Sequence, residues 1–433
     1  MMNNFQNVLI LGTGPVAIQV AVNLKQHLHS VVAIAGRQSS RADHVYKALA
    51  QSDQHISVHI QNEKHQSVAG ECRIDHVFAG YEQITGQWDT IVLAVTTDTY
   101  IQVLQQLQPD LLKQIQCVLL ISPTFGSGDL VSDYISAFQP EAEIISFSTY
   151  YGDTRWAGDE PSHQVITTAV KKKVYIGSQT SSSLRVQELQ RMYQQLGIQV
   201  QTMSSPLEAE TRNISLYVHP ALFMNDFSLQ VVFGSHSVPK FVYKLYPEGP
   251  ITPPLIRNML SQWKEVMNLL QQMGITGINL LQFMVDDNYP IATESLSRED
   301  IENFMDLEPI HQEYLLYVRY ASLLIDPFSE PDSKGRYFDF SAVPIRTVFT
   351  NKEGKQDIPR MPQEDYYRIK MIQGFARHTG TPCPTIDQLI RNYEYHLQQY
   401  IEAHPEEPLS TAFQIHHHDE DYNRIQNRIQ TTH

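Results

Sequence analysis

A glycine-rich hexapeptide near the start of the chain has the pattern of a phosphate-binding turn. It reads Gly12-Thr13-Gly14-Pro15-Val16-Ala17, which is the spacing G-x-G-x-x-A. An apolar run precedes it and a segment with helical apolar spacing follows it, and this context separates a dinucleotide fingerprint from a chance match. The first glycine permits a tight bend, the second admits a pyrophosphate against the backbone, and the small sixth residue packs helix on strand. The alternative is a structural glycine turn in another α/β domain.

The end of the next apolar run indicates which dinucleotide is bound. Residues 31–35 are followed by a glycine and Arg37, where a protein that binds NAD would carry an acidic residue for the ribose 2′-hydroxyl. Arg37 and Arg41, with Ser39 and Ser40 between them, offer positive charge and hydroxyl groups suited to a 2′-phosphate. The sequence therefore favours NADPH over NADH. The alternative is that Arg37 is an ordinary surface arginine.

Small and polar residues also follow two later apolar runs. In an open parallel sheet, ligands bind beyond the carboxyl ends of the strands. We therefore expect these residues to line the nicotinamide side of the cleft: Thr96, Ser122, Pro123 and Thr124.

A histidine in the second half of the chain is the leading candidate for proton transfer. His219 stands in the segment 213–220, which also contains Asn213 and Tyr217, and Asn225 follows shortly after. Imidazole exchanges a proton near neutral pH, as reduction of a carbonyl or imine requires at the atom beside the hydride acceptor. The alternative is a hydrogen-bonded structural histidine.

The elements that must position these groups divide the chain in two. Apolar runs of strand length alternate with helical periodicity at 7–11, 31–35, 90–95, 117–121 and 144–147. This pattern predicts an α/β Rossmann domain with a doubly wound, mainly parallel sheet over residues 1–205. Helical periodicity with few strand signals predicts a mainly α-helical C-terminal domain over residues 206–433, with a loosely held polar tail after about residue 408.

Composition excludes several classes of protein. A formal net charge of −15 argues against a nucleic-acid partner. Three cysteines without C-x-x-C spacing predict neither disulfides nor a thiolate metal site, and they favour a cytoplasmic location. We expect neither secretion nor membrane association, since the first residues lack the basic and cleavage pattern of a signal peptide and no apolar run is long enough to span a bilayer. Three consecutive histidines, 416–418, cannot all face one ion on a regular element, so we predict a solvated tail and no metal site.

At this point the chain resembles a known family. The segments that carry the resemblance are the hexapeptide at 12–17, ISPTFGS at 121–127, SFSTYYGDTR at 146–155, LYVHP at 216–220, YPEGPIT at 246–252, NLLQFMV at 279–285 and YFDFSAVP at 337–344. They are similar to the staphylopine dehydrogenases, which are opine metallophore dehydrogenases related to octopine dehydrogenase. The similarity spans nearly the whole chain.

The resemblance implies a reaction with two organic substrates. An α-keto acid would condense with the amine of a histidine-containing, nicotianamine-like intermediate, and NADPH would reduce the imine to a metal-chelating opine. It also implies a homodimer, and an aspartate partner for His219 from a late Glu-Asp motif. Asp365 matches that aspartate, but Tyr366-Tyr367 follows it where the wider group has Val-Pro. The alternative for Asp365 is a charge near a helix N-terminus.

The same segments suggest substrate-binding residues. Arg155, Arg212 and Asn213 could bind the keto-acid carboxylate. Asp153 would repel a second carboxylate, which favours pyruvate over 2-oxoglutarate. In the rival interpretation Asp153 pairs with a cationic part of the amine.

Two other functions remain open. An NADP-dependent reductase of small keto or hydroxy acids would share the fingerprint and the histidine, but it would not need the amine. A non-catalytic NADPH sensor would bind cofactor and tolerate His219→Ala.

Overall fold

The computed structural model describes residues 4–234, 238–288, 291, 293–325, 340–416 and 418–432, without the side chains of 40, 41, 324, 325, 340 and 426–432. The side chain of Arg41, residues 337–339 of one motif above and His417 lie outside that description. The chain forms two compact units. The first contains residues 1–213 and 420–433, and the second contains residues 214–419. The functional division into 1–205 and 206–433 stays a prediction.

The strands, in chain order, are β1 (Asn7–Leu11), β2 (Val31–Gly36), β3 (His55–Ile60), β4 (Gly70–Arg73), β5 (His76–Ala79), β6 (Thr90–Leu93), β7 (Cys117–Leu120), β8 (Glu143–Phe147), β9 (Gly152–Trp156), β10 (Gln164–Val170), β11 (Lys173–Ser178), β12 (Gln199–Met203), β13 (Phe349–Thr350) and β14 (Gln356–Asp357).

The α-helices are α1 (Pro15–Asn23), α2 (Ser40–Gln51), α3 (Tyr100–Leu104), α4 (Pro109–Leu112), α5 (Ser127–Ser136), α6 (Leu184–Gln195), α7 (Pro206–Glu210), α8 (Ser215–Phe223), α9 (Asp226–Phe233), α10 (Pro253–Gln272), α11 (Leu280–Asp286), α12 (Arg298–Glu302), α13 (Pro309–Ile325), α14 (Arg360–Thr379), α15 (Pro384–Ala403) and α16 (Asp419–Thr432).

An eight-stranded sheet forms the centre of the first unit. Its order is β12-β11-β8-β7-β6-β1-β2-β5, and every neighbouring pair is parallel except β8 with β11. Read from β5 to β8, the order is the 3-2-1-4-5-6 arrangement of a doubly wound dinucleotide fold. β1, β6 and β7 are fully buried or nearly so, as their continuous apolar sequences predict. The expected Rossmann sheet is confirmed.

A smaller sheet covers the other side of α1. Its order is β4-β3-β10-β9, and α1 packs against β3, β9 and β10 as well as against the main sheet. The helix is therefore buried from Ala17 to Asn23. Its two polar residues are satisfied inside: Thr167 Oγ1 donates to Gln19 Oε1 (2.7 Å), and Asn23 Nδ2 donates to Tyr151 Oη (2.7 Å). These bonds hold the small sheet on the helix, because buried polar groups require partners.

The second unit is mainly helical, as expected. α8 packs against α10 and α14, and α10 packs further against α13 and α15. α10 buries one apolar stripe that includes Met259, Trp263 and Val266, at helical spacing. The short hairpin of β13 and β14 accompanies these helices. No helix in the described part of either unit is long and apolar enough to cross a membrane.

The expectation of a loosely held tail is wrong. α16 buries Ile425 and belongs to the first unit. Arg424 Nη1 lies 3.3 Å from Asp133 Oδ2 of α5, and its guanidinium lies over the Tyr134 ring. Near the histidine tract, the His418 ring stacks edge-on against Tyr367, 4.8 Å between centroids.

The two glycines of the hexapeptide differ in the space that surrounds an added Cβ atom. Gly12 has a φ of +131°, and a Cβ there would lie 2.4 Å from the Ala94 carbonyl oxygen, whereas a Cβ on Gly14 meets nothing within 4 Å. We expect Gly12→Ala to lower the free energy of unfolding by about 2 kcal/mol or more, and Gly14→Ala to change it by less than about 0.5 kcal/mol. Urea denaturation of both variants measures this, and equal losses would contradict the assignment of strain to Gly12.

Candidate functional site

The hexapeptide forms the turn between β1 and α1. The Gly12 N–H donates to the Ala35 carbonyl oxygen (2.8 Å), which ties the turn to the end of β2. Gly14 caps α1 in an extended conformation, and Pro15 takes the first helical position, where its missing N–H costs nothing. Ala17 is fully buried. The open space at Gly14 and the free positive end of the helix suit a pyrophosphate.

The end of β2 presents Arg37. Tyr46 Oη donates to the Gly36 carbonyl oxygen (2.8 Å), and a Cβ on Gly36 would lie 2.6 Å from Thr13 Cγ2, so the strand end packs closely on the turn. Arg37 follows directly, and its side chain is exposed. Ser39 Oγ accepts the Ala42 N–H (3.2 Å) and caps α2.

The loops after β6 and β7 carry the other predicted cofactor residues. Thr96 precedes a short turn after β6. After β7, Ser122 is exposed while Pro123 and Thr124 are buried. Thr124 Oγ1 is a buried oxygen that lacks a hydrogen-bond partner among the described residues. An exposed hydroxyl and an unpaired one at the carboxyl edge of the sheet are compatible with the polar nicotinamide half of a dinucleotide.

His219 lies on α8 of the second unit, and the helix is built to hold it. Its neighbour Pro220 lacks an N–H, so the Leu216 carbonyl loses its helical partner. The buried Gln262 of α10 replaces that partner, because its Nε2 donates to Leu216 O (2.8 Å). The imidazole lies one turn from Ser215, with Nε2 3.3 Å from Oγ. Its side chain is 22% exposed, so one part of the ring faces the protein and another faces solvent.

The protein-facing side of the imidazole meets Asp365 of α14. His219 Nδ1 lies 3.7 Å from Asp365 Oδ1, which is an ion-pair distance, and the Asp365 side chain is fully buried. Burial raises the pKa of Asp365 to about 7, while the neighbouring Arg368 opposes that rise. Asp365 is also the sixth residue of α14, so it lies near a helix N-terminus as the alternative has it, and its role as the partner of His219 in catalysis stays a prediction.

Arg368 is the residue that sequence reasoning missed. It stands one helical turn after Asp365, its Nη1 donates to Asp365 Oδ1, and its side chain is 8% exposed. The three side chains form an imidazole–carboxylate–guanidinium cluster within one unit. A guanidinium stays protonated under all ordinary conditions, so it favours the ionised carboxylate, which in turn favours a protonated imidazole. The cluster can therefore donate and recover a proton.

Asp153 and Arg155 lie together on β9 of the first unit. Arg155 Nη2 donates to Asp153 Oδ2 (2.9 Å), and Thr168 Oγ1 also donates to that oxygen (2.7 Å). Both side chains are more than half exposed. In the structure Asp153 and Arg155 therefore form an ion pair, whereas the sequence analysis gave each of them a separate role.

The remaining predicted substrate residues have local partners. Arg212 Nη2 lies 3.5 Å from Glu208 Oε1 and is 9% exposed. Asn213 is buried, and Tyr217 is fully buried on α8. Asn225 caps α9 and bonds to the end of α8, since its Oδ1 accepts the Ser228 N–H and its Nδ2 donates to Ala221 O. Their roles in substrate binding stay predictions.

One unit has a dinucleotide-type turn with an exposed arginine, and the helical unit has an imidazole–carboxylate–guanidinium cluster. These features are typical of a dehydrogenase of the two-unit Rossmann class. The family model that describes staphylopine dehydrogenase matches residues 6–429. The chain belongs to the staphylopine dehydrogenase family, which confirms the expected relationship.

Individual relatives agree with this membership. The chain is 48% identical to a staphylopine synthase of Staphylococcus aureus strain Mu50 over 94% of each chain. It is 36% identical to a pseudopaline synthase of Pseudomonas aeruginosa, over 92% of this chain and 91% of the relative. A solved structure of yersinopine dehydrogenase with NADP+ bound superimposes with a TM-score of 0.92 at 29% identity, over 99% of this chain and all of the other.

Proposed function

We propose that this protein catalyses the NADPH-dependent reductive condensation of an α-keto acid with a primary amine, giving an opine metallophore. The amine would be a histidine-containing, nicotianamine-like intermediate, and pyruvate is the favoured keto acid. The observation that carries the proposal is the His219–Asp365–Arg368 cluster in a chain of this family. The relatives named above make staphylopine and pseudopaline, which are products of this kind.

The chain's own residues divide the binding of the dinucleotide. The turn at Gly14 would hold the pyrophosphate, Arg37 the 2′-phosphate, and the loop with Ser122 and Thr124 the nicotinamide half. NADP+ in the yersinopine dehydrogenase structure supports this choice of cofactor. When bound, NADPH supplies a hydride to the carbon that carried the keto oxygen.

The cluster around His219 would carry out the proton transfer. Condensation of the keto acid with the amine releases water and leaves a C=N bond, and reduction of that bond needs one proton at the nitrogen. His219 would donate it from its solvent-facing side, and Asp365 would stabilise the protonated ring meanwhile. Arg368 acts through Asp365, so we regard it as a positioning residue.

Substitution of Arg368 should change the pH dependence of kcat. Arg368 holds down the pKa of Asp365, which lies at about 7 in the native protein. Removing the guanidinium by Arg368→Met raises that pKa, so a higher pH is needed to ionise Asp365. We expect the acidic limb of the kcat profile to move to higher pH, and His219→Ala to lower kcat about 100-fold. Steady-state kinetics between pH 5.5 and 9 measure both.

Arg360→Met is the matched control for this experiment. Arg360 is on the same helix and also lowers the pKa of Asp365, but it is the weakest of the charges acting on it. Its removal should move the acidic limb less than the removal of Arg368 does. A profile of Arg368→Met that keeps its shape while kcat falls would show a merely structural role.

The keto-acid preference is assigned to the ion pair on β9. Arg155 is the more accessible of the two candidate arginines, because Arg212 is nearly buried against Glu208. Arg155 would bind the carboxylate common to all α-keto acids, and Asp153 would repel the second carboxylate of 2-oxoglutarate. The pairing with Arg155 also positions that guanidinium, so Asp153 has two effects that substitution can separate.

We expect Asp153→Ala to raise the rate with 2-oxoglutarate relative to pyruvate about tenfold, which corresponds to about 1.4 kcal/mol of repulsion. The kcat/KM ratio for the two keto acids measures it. Asp53→Ala is the matched control, since Asp53 is an exposed aspartate of the same unit that pairs with an arginine, Arg73. An unchanged ratio in Asp153→Ala would assign Asp153 to the amine substrate instead.

The overall reaction is tested by omission. Purified protein is mixed with NADPH, pyruvate or 2-oxoglutarate, and a histidine-containing aminobutyrate, and the NADPH absorbance is followed with each component left out in turn. We expect oxidation only when keto acid and amine are both present. Oxidation with keto acid alone would replace the proposal with a simple keto-acid reductase, and binding without oxidation would indicate a sensor. The homodimer and the cytoplasmic location stay predictions.

A further inference from the structure

A second fully buried carboxylate lies in the first unit, away from the histidine cluster. Glu210 ends α7, and its side chain accepts three hydrogen bonds from residues distant in sequence. The donors are the Gly126 N–H to Oε2 (2.9 Å), the Gly128 N–H to Oε1 (2.7 Å) and Ser146 Oγ to Oε1 (2.8 Å). The carboxylate therefore occupies the amino-terminal end of α5, where backbone N–H groups favour negative charge.

The groups around Glu210 match the two acceptor oxygens of its carboxylate. Burial raises the pKa of Glu210 to about 8, with Asp129 adding to the rise, and the three hydrogen bonds oppose it. A Cβ at position 128 would lie 2.7 Å from Pro206 Cβ and 3.0 Å from Glu210 Oε1, so only glycine lets α5 come this close to α7. Two backbone N–H groups can only donate, so both carboxylate oxygens are needed as acceptors.

The hydrogen bonds of Glu210 join a fixed helix to a shaped loop. The start of α7 packs closely on β11. A Cβ on Gly177 of β11 would lie only 1.9 Å from the Ser205 carbonyl oxygen, so only glycine permits this approach. The loop, residues 121–126, leaves β7 and ends at Gly126, whose φ is +83°. Within it the Thr124 N–H donates to Ser127 Oγ (3.0 Å). Glu210 thus bonds the end of this loop and the first turn of α5 to the end of α7.

The place of the loop in the sheet connects it to the dinucleotide. β7 is the middle strand of β6-β7-β8, the second mononucleotide-binding half of the fold, while the hexapeptide and Arg37 belong to the first half. Ser122, Pro123 and Thr124 are the loop residues that we assign to the nicotinamide. A displaced loop would consequently affect the nicotinamide half of NADPH and leave the adenosine half unaffected.

We propose that Glu210 is a positioning residue for the nicotinamide half of the cofactor, acting through the loop 121–126. The inference rests on the proposed use of NADPH. It requires no contact between Glu210 and the cofactor, because the carboxylate is buried and acts through the backbone of Gly126 and Gly128.

The test compares two ligands that share the adenosine half. Calorimetry gives Kd for NADPH and for 2′,5′-ADP, which lacks the nicotinamide. Glu210→Gln places an amide NH2 against a backbone N–H and so removes one acceptor. We expect it to raise Kd for NADPH about tenfold and to change Kd for 2′,5′-ADP by less than about twofold. Ser146→Ala, a milder change at the same carboxylate, should act in the same direction and serves if Glu210→Gln does not fold.

Glu143→Gln is the matched control. Glu143 is also a buried carboxylate of the first unit, bonded to Ser178 Oγ and Arg185 Nη1, but it lies at the amino-terminal end of β8, away from the loop. It should leave both Kd values unchanged. Hydrogen exchange gives a readout without cofactor, since the amides of Gly126 and Gly128 should exchange faster in Glu210→Gln than in Glu143→Gln.

The outcomes separate the inference from the function it rests on. A parallel rise in both Kd values, or no change in either, overturns the positioning role of Glu210. Native protein that binds neither ligand overturns the use of NADPH and this inference with it.

Discussion

Removing a carboxylate from water costs several kcal/mol unless charges or hydrogen-bond donors replace the solvent, and the functional parts of this chain are organised by that cost. Asp365 offsets that cost with the guanidinium of Arg368 and the imidazole of His219, both of which approach its Oδ1 oxygen. For Glu210, two backbone N–H groups and a hydroxyl offset the desolvation cost, and none of these donors carries a full charge. The first arrangement can exchange a proton with its neighbour, whereas the second holds backbone in place. In our proposals, similar burial thus serves proton transfer in one unit and the positioning of a loop in the other.

Much of the fold could be predicted because buried parallel strands produce continuous apolar runs. β1, β6 and β7 are such runs, and the fingerprint after β1 identified the turn. The small sheet was not foreseen, since β4 and β9 alternate half-buried and exposed residues and β3 pairs with β10 about a hundred residues later. α16 was not foreseen either, because its sequence is polar and its apolar anchor, Ile425, becomes evident only against the folded unit.

The site was predictable to a different degree. His219 was predicted from the chemistry of imidazole and Asp365 from the family resemblance, and the structure places them 3.7 Å apart. Arg368 could have been found, since a residue three positions after Asp365 on a helix shares its face. Glu210 could not, because its three partners are 64 to 84 residues away along the chain and meet it only when β8 and α5 are in place. Asp153 and Arg155 alternate with Thr154 on one strand, so a shared face was foreseeable and their ion pair was not.

The return of α16 to the first unit determines the order in which that unit can be completed. Its two sheets and the helices α1 to α7 are synthesised first, and the whole of residues 214–419 is synthesised before the helix that rejoins them. On the ribosome, the surface around Asp133 and Tyr134 therefore stays uncovered while the second unit emerges. A nascent chain can form the Rossmann sheet early, but its last helix docks only after translation of the helical unit has finished. Topologically the second unit is an insertion within the first, so its N-terminal end leaves the sheet domain that forms early and its C-terminal end leads into the helix that docks last.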